Sequence, residues 1–169
     1  MEESDEALIG RYARGEAAAF DQLYKRHELR VWRYLERNLD DPATADDLLL
    51  EVWCALARDT SSAESTIRVR TRLFTLAHER VTQWLEARGG QAGLEAEADP
   101  PAGADSAANV LARAIGQLPH EQREVYLLQM EGQLSVGEIA QIAGSTIDAA
   151  QGHLHLARLK LQELFSEPT

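Results

Sequence analysis

The last third of the chain carries the pattern of two closely linked amphipathic helices. Ser135 can cap a first helix, and Glu138 three residues later completes a capping box. Gly144 suits the left-handed position at the end of that helix, and Ser145 or Thr146 can cap a second one. In the second helix apolar residues recur at steps of three and four and give a core-facing stripe: Ile147, Ala150, Leu154, Ala157, Leu161 and Leu164. This pattern predicts a helix-turn-helix, which places a recognition helix in a DNA major groove, although an ordinary antiparallel helix pair would share it.

The predicted recognition helix lacks the positive charge that DNA binding normally requires. No Lys or Arg lies between Arg123 and Arg158. Residues 109–169 contain four basic and seven acidic residues, and the whole chain has a formal net charge of −11. Because Lys and Arg contacts to phosphate supply most nonspecific DNA affinity, a freestanding DNA-binding domain is normally basic. The charge favours a basic partner, or acidic faces that dock on a basic surface, over a generic nucleic-acid binder.

The composition is that of a globular protein. A length of 169 residues allows one large or two small domains. Cys54 is the single cysteine of the chain. A single cysteine excludes an internal disulfide framework and fits a reducing cytoplasm. Cys54 itself is expected to be a small buried residue. No apolar run approaches the length of a membrane span, and the acidic start MEESDEALIG is unlike a signal peptide. We therefore expect a cytoplasmic protein.

The apolar periodicity predicts an all-α fold of two small helical bundles, the second of which contains the helix-turn-helix. The stretch 89–108 contains Gly, Ala, Pro and acids without an apolar period, so it predicts an acidic flexible linker and a loose relative placement of the bundles. The expected domains are 1–88 and 109–169. Six helices are expected before the helix-turn-helix pair. The first extends from the cap Ser4 to Gly15, and the third extends from the cap Asp41, with Pro42 at its first position, to residue 59. The other four cover residues 17–38, 67–88, 107–117 and 120–130.

Three segments of the chain together resemble one known family. They are RYARGEAAAFDQLYKRHELRVWRYLERNLDDPATADDLLLEVW, TRLFTLAHERVTQWLEARGG and LPHEQREVYLLQMEGQLSVGEIAQIAG. That family is the extracytoplasmic-function (ECF) group of sigma factors of bacterial RNA polymerase. The first segment resembles their core-polymerase-binding helices. The second resembles the helix that melts and reads the minus-ten promoter element, and the third is similar to the domain that reads the minus-thirty-five element. The resemblance covers nearly the whole chain apart from the linker. It implies core RNA polymerase and promoter DNA as partners, an anti-sigma factor as a further candidate partner, and no cofactor.

The third helix carries the candidate polymerase-binding residues. Where the family usually has Asp-Leu-x-Gln-Glu, residues 47–51 read DLLLE, so the glutamine is replaced while both acids remain. The resemblance implies docking on core polymerase through these residues: Asp46, Asp47, Leu50 and Glu51. Asp47 and Glu51 lie four residues apart, so they share a helix face and can meet a basic partner together. The alternative is a solvated helix face whose acids are favoured by the helix dipole.

The fourth helix retains positive charge but departs from the family. Where the family tends to have Trp, Asn and Asp, this helix has Arg72, Glu79 and Gln83. Where the family has a run of Arg, residues 86–88 read EAR. Residues 67–88 still contain five bases against two acids, so weakened single-stranded DNA binding is expected. The candidate DNA-binding residues of this helix are Arg68, Arg70, Arg72, Arg80 and Arg88. Trp84 is expected in the core rather than as a platform on which a base stacks.

The recognition helix differs most from the family. Where a typical member reads something like Thr-Val-Lys-Ser-Arg-Leu-His-Arg-Ala-Arg, residues 149–158 read AAQGHLHLAR. Three cationic positions are replaced by Gln151, His153 and Leu156, which should weaken DNA binding and flatten its salt dependence by a slope of about three. His153 and His155 are expected to face solvent. The candidate DNA-binding residues of this domain are Thr146, Gln151, His153 and Arg158.

Two functions remain open on these residues. The first is an ECF sigma factor that binds core polymerase and directs promoter-specific initiation. The second is a sigma-like interaction protein that binds polymerase or an anti-sigma factor without sequence-specific DNA reading. A one-component regulator would need a ligand domain or dimer interface, which the sequence does not indicate. An enzyme or a metal site is not expected, because the five histidines show no metal-ligand spacing and no phosphate loop or nucleophile motif is present.

Overall fold

The computed structural model describes residues 3–39, 41–59, 67–88 and 107–166. These ranges form eight α-helices and no β-strand, which confirms the all-α prediction. None of these helices is long and apolar enough to cross a membrane. The helices are α1 Asp5–Ala13, α2 Ala17–Leu39, α3 Pro42–Arg58, α4 Val69–Ala87, α5 Ala107–Gly116, α6 His120–Met130, α7 Val136–Ala143 and α8 Ile147–Ser166. Most of the predicted linker, residues 89–106, lies outside the described residues.

Helices α1–α4 form the N-terminal bundle, in which α2 packs against the other three. The Ser4 hydroxyl caps α1 by accepting from the Ala7 backbone N–H at 3.1 Å. The Asp41 carboxylate caps α3, whose first residue is Pro42. Both caps agree with the sequence prediction. The core residues of this bundle include Leu8, Leu23, Tyr34, Leu35, Leu56, Leu73 and Phe74.

Helices α5–α8 form the C-terminal bundle, and α7 and α8 make the predicted helix-turn-helix. Ser135 and Glu138 form the capping box of α7, and Gly144 ends that helix in the left-handed conformation with φ 68°. Thr146 caps α8 by accepting from the Ala149 backbone N–H at 3.1 Å. Four residues of the predicted stripe of α8 are buried: Ala150, Leu154, Ala157 and Leu161. Leu164 is half-buried, and Ile147 in the first turn is exposed, so the prediction is wrong for Ile147.

The two bundles pack directly against one another. Helix α2 contacts α5 and α6, and α4 contacts α7. Buried apolar residues of both bundles belong to one continuous core. The expected loose placement of the bundles is therefore wrong. That expectation used only the composition of the linker, whereas apolar and charged contacts between distant helices hold the bundles together.

Candidate polymerase and nucleic-acid interfaces

The exposed face of α3 carries the predicted polymerase-binding residues. Leu48 points into the core, whereas Leu50 is 66% exposed between exposed acids. The Asp46 carboxylate accepts a hydrogen bond from the indole N–H of Trp32 at 2.8 Å, which fixes its position. Asp47 and Glu51 lie on the same exposed face. The structure therefore brings the four predicted residues together as one apolar position surrounded by carboxylates.

A cleft of about 370 Å³ lies beside Leu50. Its lining residues come from α3 and α4, and they are Leu50, Glu51, Cys54, Ala55, Arg58 and Arg80. Cys54, which was expected to be a small buried residue, is half-buried in this wall. Sequence reasoning missed Arg58, although the spacing of residues 47, 51, 54 and 58 places them on one helix face. The lining of the cleft is mixed, with three charged side chains beside the apolar Leu50 and Ala55.

Most of the predicted bases of α4 have partners within the protein. Arg68 contacts Glu138 at 2.6 Å, Arg72 forms an ion pair with Asp59, and the Arg80 Nε atom lies 3.7 Å from Glu51. The Arg88 guanidinium stacks over the half-buried Trp84 ring at 4.5 Å from its centroid. Arg70 lines a second cleft, of about 310 Å³, together with Ser4, Asp5, Glu6, Arg26 and Arg68. Three of the five predicted bases therefore lie against carboxylates in this arrangement.

Helix α8 presents no Lys or Arg to solvent between Ile147 and Ala157, although Arg158 and Lys160 in its second half are exposed. Gln151 is exposed, Leu156 is 49% exposed, and Arg158 donates a hydrogen bond to Gln129. His153 is half-buried with its Nε2 atom 3.6 Å from the Glu121 carboxylate, so the expectation that it faces solvent is wrong. Arg123 is buried in the C-terminal core, where its guanidinium donates to the carbonyls of Gly116 and Leu118, so it is not available to DNA.

Three acids of the C-terminal bundle reach across to the N-terminal bundle, and sequence reasoning missed all three. Glu131 accepts a hydrogen bond from Arg37 at 2.8 Å. Glu138 accepts from Arg68 at 2.6 Å and from the Thr71 hydroxyl. The Glu124 carboxylate contacts the imidazole ring of His78. These contacts are separated by 46 or more residues in sequence, and the only local signal for them is the seven-residue spacing of the acids at 124, 131 and 138.

The electrostatic environment of Glu138 favours its ionised form. Burial would raise the pKa of this carboxyl. Hydrogen bonds from Arg68, Thr71 and Ser135 outweigh burial and lower the pKa to about 2. Across the same interface, burial and the nearby charge of Glu124 raise the pKa of the Tyr34 phenol well above its ordinary value. Glu138 therefore remains charged at neutral pH within this interface.

The described residues combine a helical bundle that has an exposed acidic and apolar face with a second bundle that contains a helix-turn-helix, a motif typical of DNA-binding transcription regulators. The described residues contain no cluster of His, Cys, Asp and Glu that could hold a metal ion. Residues 108–161 match the family described as Sigma-70, region 4.

Comparisons over the whole chain agree with this class. The chain is 30% identical over 166 residues to the RNA polymerase sigma factor CarQ of Myxococcus xanthus, covering 93% of this chain and 95% of that relative. It is 29% identical over 172 residues to the ECF RNA polymerase sigma factor SigL of Mycobacterium tuberculosis, covering 94% and 97%. The chain belongs to the ECF group of RNA polymerase sigma factors.

Solved structures share the fold. The sigma factor RpoE of Bartonella quintana, in complex with the anti-sigma factor NepR, superposes with a TM-score of 0.72 at 19% identity over 89% of this chain and 98% of its own. CnrH, in complex with the cytosolic domain of CnrY, superposes with a TM-score of 0.70 at 19% identity over 99% of this chain and 100% of its own. Both likenesses concern the fold alone.

Proposed function

We propose that this protein binds core RNA polymerase through the exposed face of α3 and directs promoter-specific transcription initiation. The observation that carries the proposal is Leu50, which is 66% exposed on a well-formed helix and adjoins both carboxylates and an open cleft. An exposed apolar residue with a polar rim is the composition expected at the centre of a protein interface. In the ECF family the corresponding helix docks on a basic and apolar surface of the polymerase, which this face would complement.

The charge arrangement supports a basic partner. Asp47 and Glu51 point from the same helix face, and Asp46 is held beside them by Trp32. Rim carboxylates of this kind steer association with a positive surface and fix the orientation of docking. Leu50, which replaces the usual glutamine, would exchange a polar contact for apolar burial at the centre of the interface.

We assign the contacts to promoter DNA mainly to the N-terminal bundle. The bases of α4 provide a positive surface that single-stranded DNA could approach once their internal ion pairs separate. The C-terminal bundle contributes less, because α8 has lost three cationic positions and Arg123 is buried. Leu156, half-exposed on α8 where the family usually carries a cation, favours the second candidate function, a sigma-like protein that engages proteins without reading DNA.

A charge-reversal experiment tests polymerase binding. The double variant Asp47→Lys with Glu51→Lys should lose binding to purified core polymerase in a pull-down while its helical circular dichroism is unchanged. The control variant Asp21→Lys with Glu163→Lys changes the net charge equally at exposed positions away from α3 and should bind normally. Unaltered affinity of the α3 variant would show that the docking surface lies elsewhere or that polymerase is not the partner.

A second experiment separates the two functions. The protein and core polymerase are incubated with a duplex from the region upstream of its own coding sequence, and transcript formation is measured. Specific transcripts that require both components support a working sigma factor. Polymerase binding without any promoter-specific transcript, across a set of candidate upstream regions, would favour the interaction-only function.

A further inference from the structure

Helix α8 carries a second apolar stripe on the side opposite to its buried one. This outer stripe consists of Ala149, Gly152, Leu156 and Leu159, and all four residues are exposed. They recur at steps of three, four and three, so they share one face of the helix. Leu156 is 49% exposed and Leu159 is 43% exposed. The helix therefore buries one apolar stripe within the C-terminal bundle and presents another to solvent.

Gly152 lies in the interior of α8, where the packing of the protein itself does not require a glycine. A Cβ atom added at this position would meet no atom within 4 Å. Its backbone is not left-handed, because among the described glycines only Gly15 and Gly144 have positive φ. Glycine inside a helix costs about 1 kcal/mol relative to alanine. The missing side chain leaves room on the outer face for the side chain of a second molecule.

The charge around the outer stripe does not suit DNA. No Lys or Arg lies between Ile147 and Ala157, so the first half of α8 offers phosphate no cation. Two exposed leucines on one helix face are instead the composition of a contact between proteins.

The order of sizes along the outer stripe makes it complementary to itself. The small residues Ala149 and Gly152 come first, and the large residues Leu156 and Leu159 follow. If a second α8 runs antiparallel, Ala149 faces Leu159 of the second copy and Gly152 faces its Leu156. Each leucine then fills the space beside a small residue, and the twofold axis repeats both contacts. A parallel pair would set small residues against small ones and leave a gap, which packed interfaces avoid.

We propose that the outer stripe of α8 is a self-association surface that pairs two copies of this protein as an antiparallel, twofold-symmetric dimer. The inference goes beyond the proposed function and does not depend on polymerase binding. The outer stripe is about 15 Å long, so the contact lies at the small end of protein interfaces. The dimer is therefore weak, with a Kd of about 10–100 µM.

The first test measures the mass of the full-length protein by sedimentation equilibrium from about 5 to 300 µM, a range that brackets this Kd. The wild-type mass should rise with concentration from 18.7 kDa towards twice that value. The variant Leu156→Gln with Leu159→Gln should remain a monomer at unchanged helical circular dichroism. A wild type that is monomeric at every concentration would overturn self-association and leave the outer stripe to a different protein.

A matched control removes two exposed leucines of the N-terminal bundle. Leu29 is 54% exposed and Leu50 is 66% exposed, so the variant Leu29→Gln with Leu50→Gln loses as much exposed apolar surface as the α8 variant. It should dimerise as the wild type does. Equal loss of the dimer in this control would show that the outer stripe has no special role.

The second test measures the register by disulfide cross-linking in a Cys54→Ala background, with copper–phenanthroline as the oxidation catalyst. In Ala149→Cys with Leu159→Cys the two cysteines of one chain are about 15 Å apart along the helix, too far for a disulfide within the chain. This variant should form covalent dimers, whereas Ala149→Cys alone should form few. Equal cross-linking by the single variant, or none by the double variant where the wild type dimerises, would overturn the antiparallel register.

Discussion

Removing the charge of Glu138 should destabilise the protein at neutral pH and have progressively less effect in acid. The change is Glu138→Gln, which keeps the shape of the side chain and its capping role but removes the carboxylate that Arg68 and Thr71 contact. The pKa of this carboxyl falls from 4.5 to about 2 on folding. That difference corresponds to about 3 kcal/mol if taken in full. Since 24% of the side chain reaches solvent, screening reduces the expected value to about 1–2 kcal/mol.

The sign of the pH dependence follows from the lowered pKa. The stabilisation is fully present above pH 4.5, where the carboxyl is ionised in both the folded and unfolded states. It is lost as the pH falls from 4.5 through about 2, because the unfolded chain then binds a proton that the folded protein does not. The stability difference between wild type and variant should therefore shrink to less than half of its neutral value by about pH 3.

Urea denaturation followed by circular dichroism measures this difference at pH 7 and pH 3. The matched control is Glu163→Gln, which removes an exposed carboxylate of α8 and should leave the free energy of unfolding within about 0.5 kcal/mol of the wild type at both pH values. A difference for Glu138→Gln that is the same at both pH values would refute the assignment of its effect to the carboxylate charge.

Two other predictions concern the helix-turn-helix. Gly152→Ala should raise the thermal midpoint, with a gain of about 1 kcal/mol, because the position is helical and an added methyl group meets no atom within 4 Å. Gly144→Ala should lower the midpoint, since that residue has φ 68°, and equal effects of the two substitutions would contradict this account. The combined variant Gln151→Lys, His153→Arg and Leu156→Arg should gain duplex binding that fades steeply with added salt in an anisotropy titration. Submicromolar, sequence-selective binding by the unmodified protein would show that its C-terminal bundle already reads DNA.

The helices could be predicted from the sequence because their signals are local. The Ser135 and Glu138 capping box, the Gly144 turn and the Asp41 cap each involve residues within four positions of one another. The exposed face of α3 was also predictable, because a four-residue spacing fixes which side chains share a helix face. The roles of Asp47, Leu50 and Glu51 in polymerase binding stay predictions, as do the DNA-binding roles assigned on α4 and α8.

Only the tertiary structure decided how the charges pair and how the bundles sit. Arg68 and Glu138 are 70 positions apart, and Arg37 and Glu131 are 94 apart, so no local pattern connects them. From the sequence alone, the acids of the C-terminal half predict weak DNA binding. The linker composition predicts a loose relative placement of the two bundles. In the folded chain two of those acids, Glu131 and Glu138, are instead countercharges for arginines of the other bundle, and Glu124 contacts His78. The local sequence therefore determined the helices, whereas packing between distant helices determined which charges remain available to a partner.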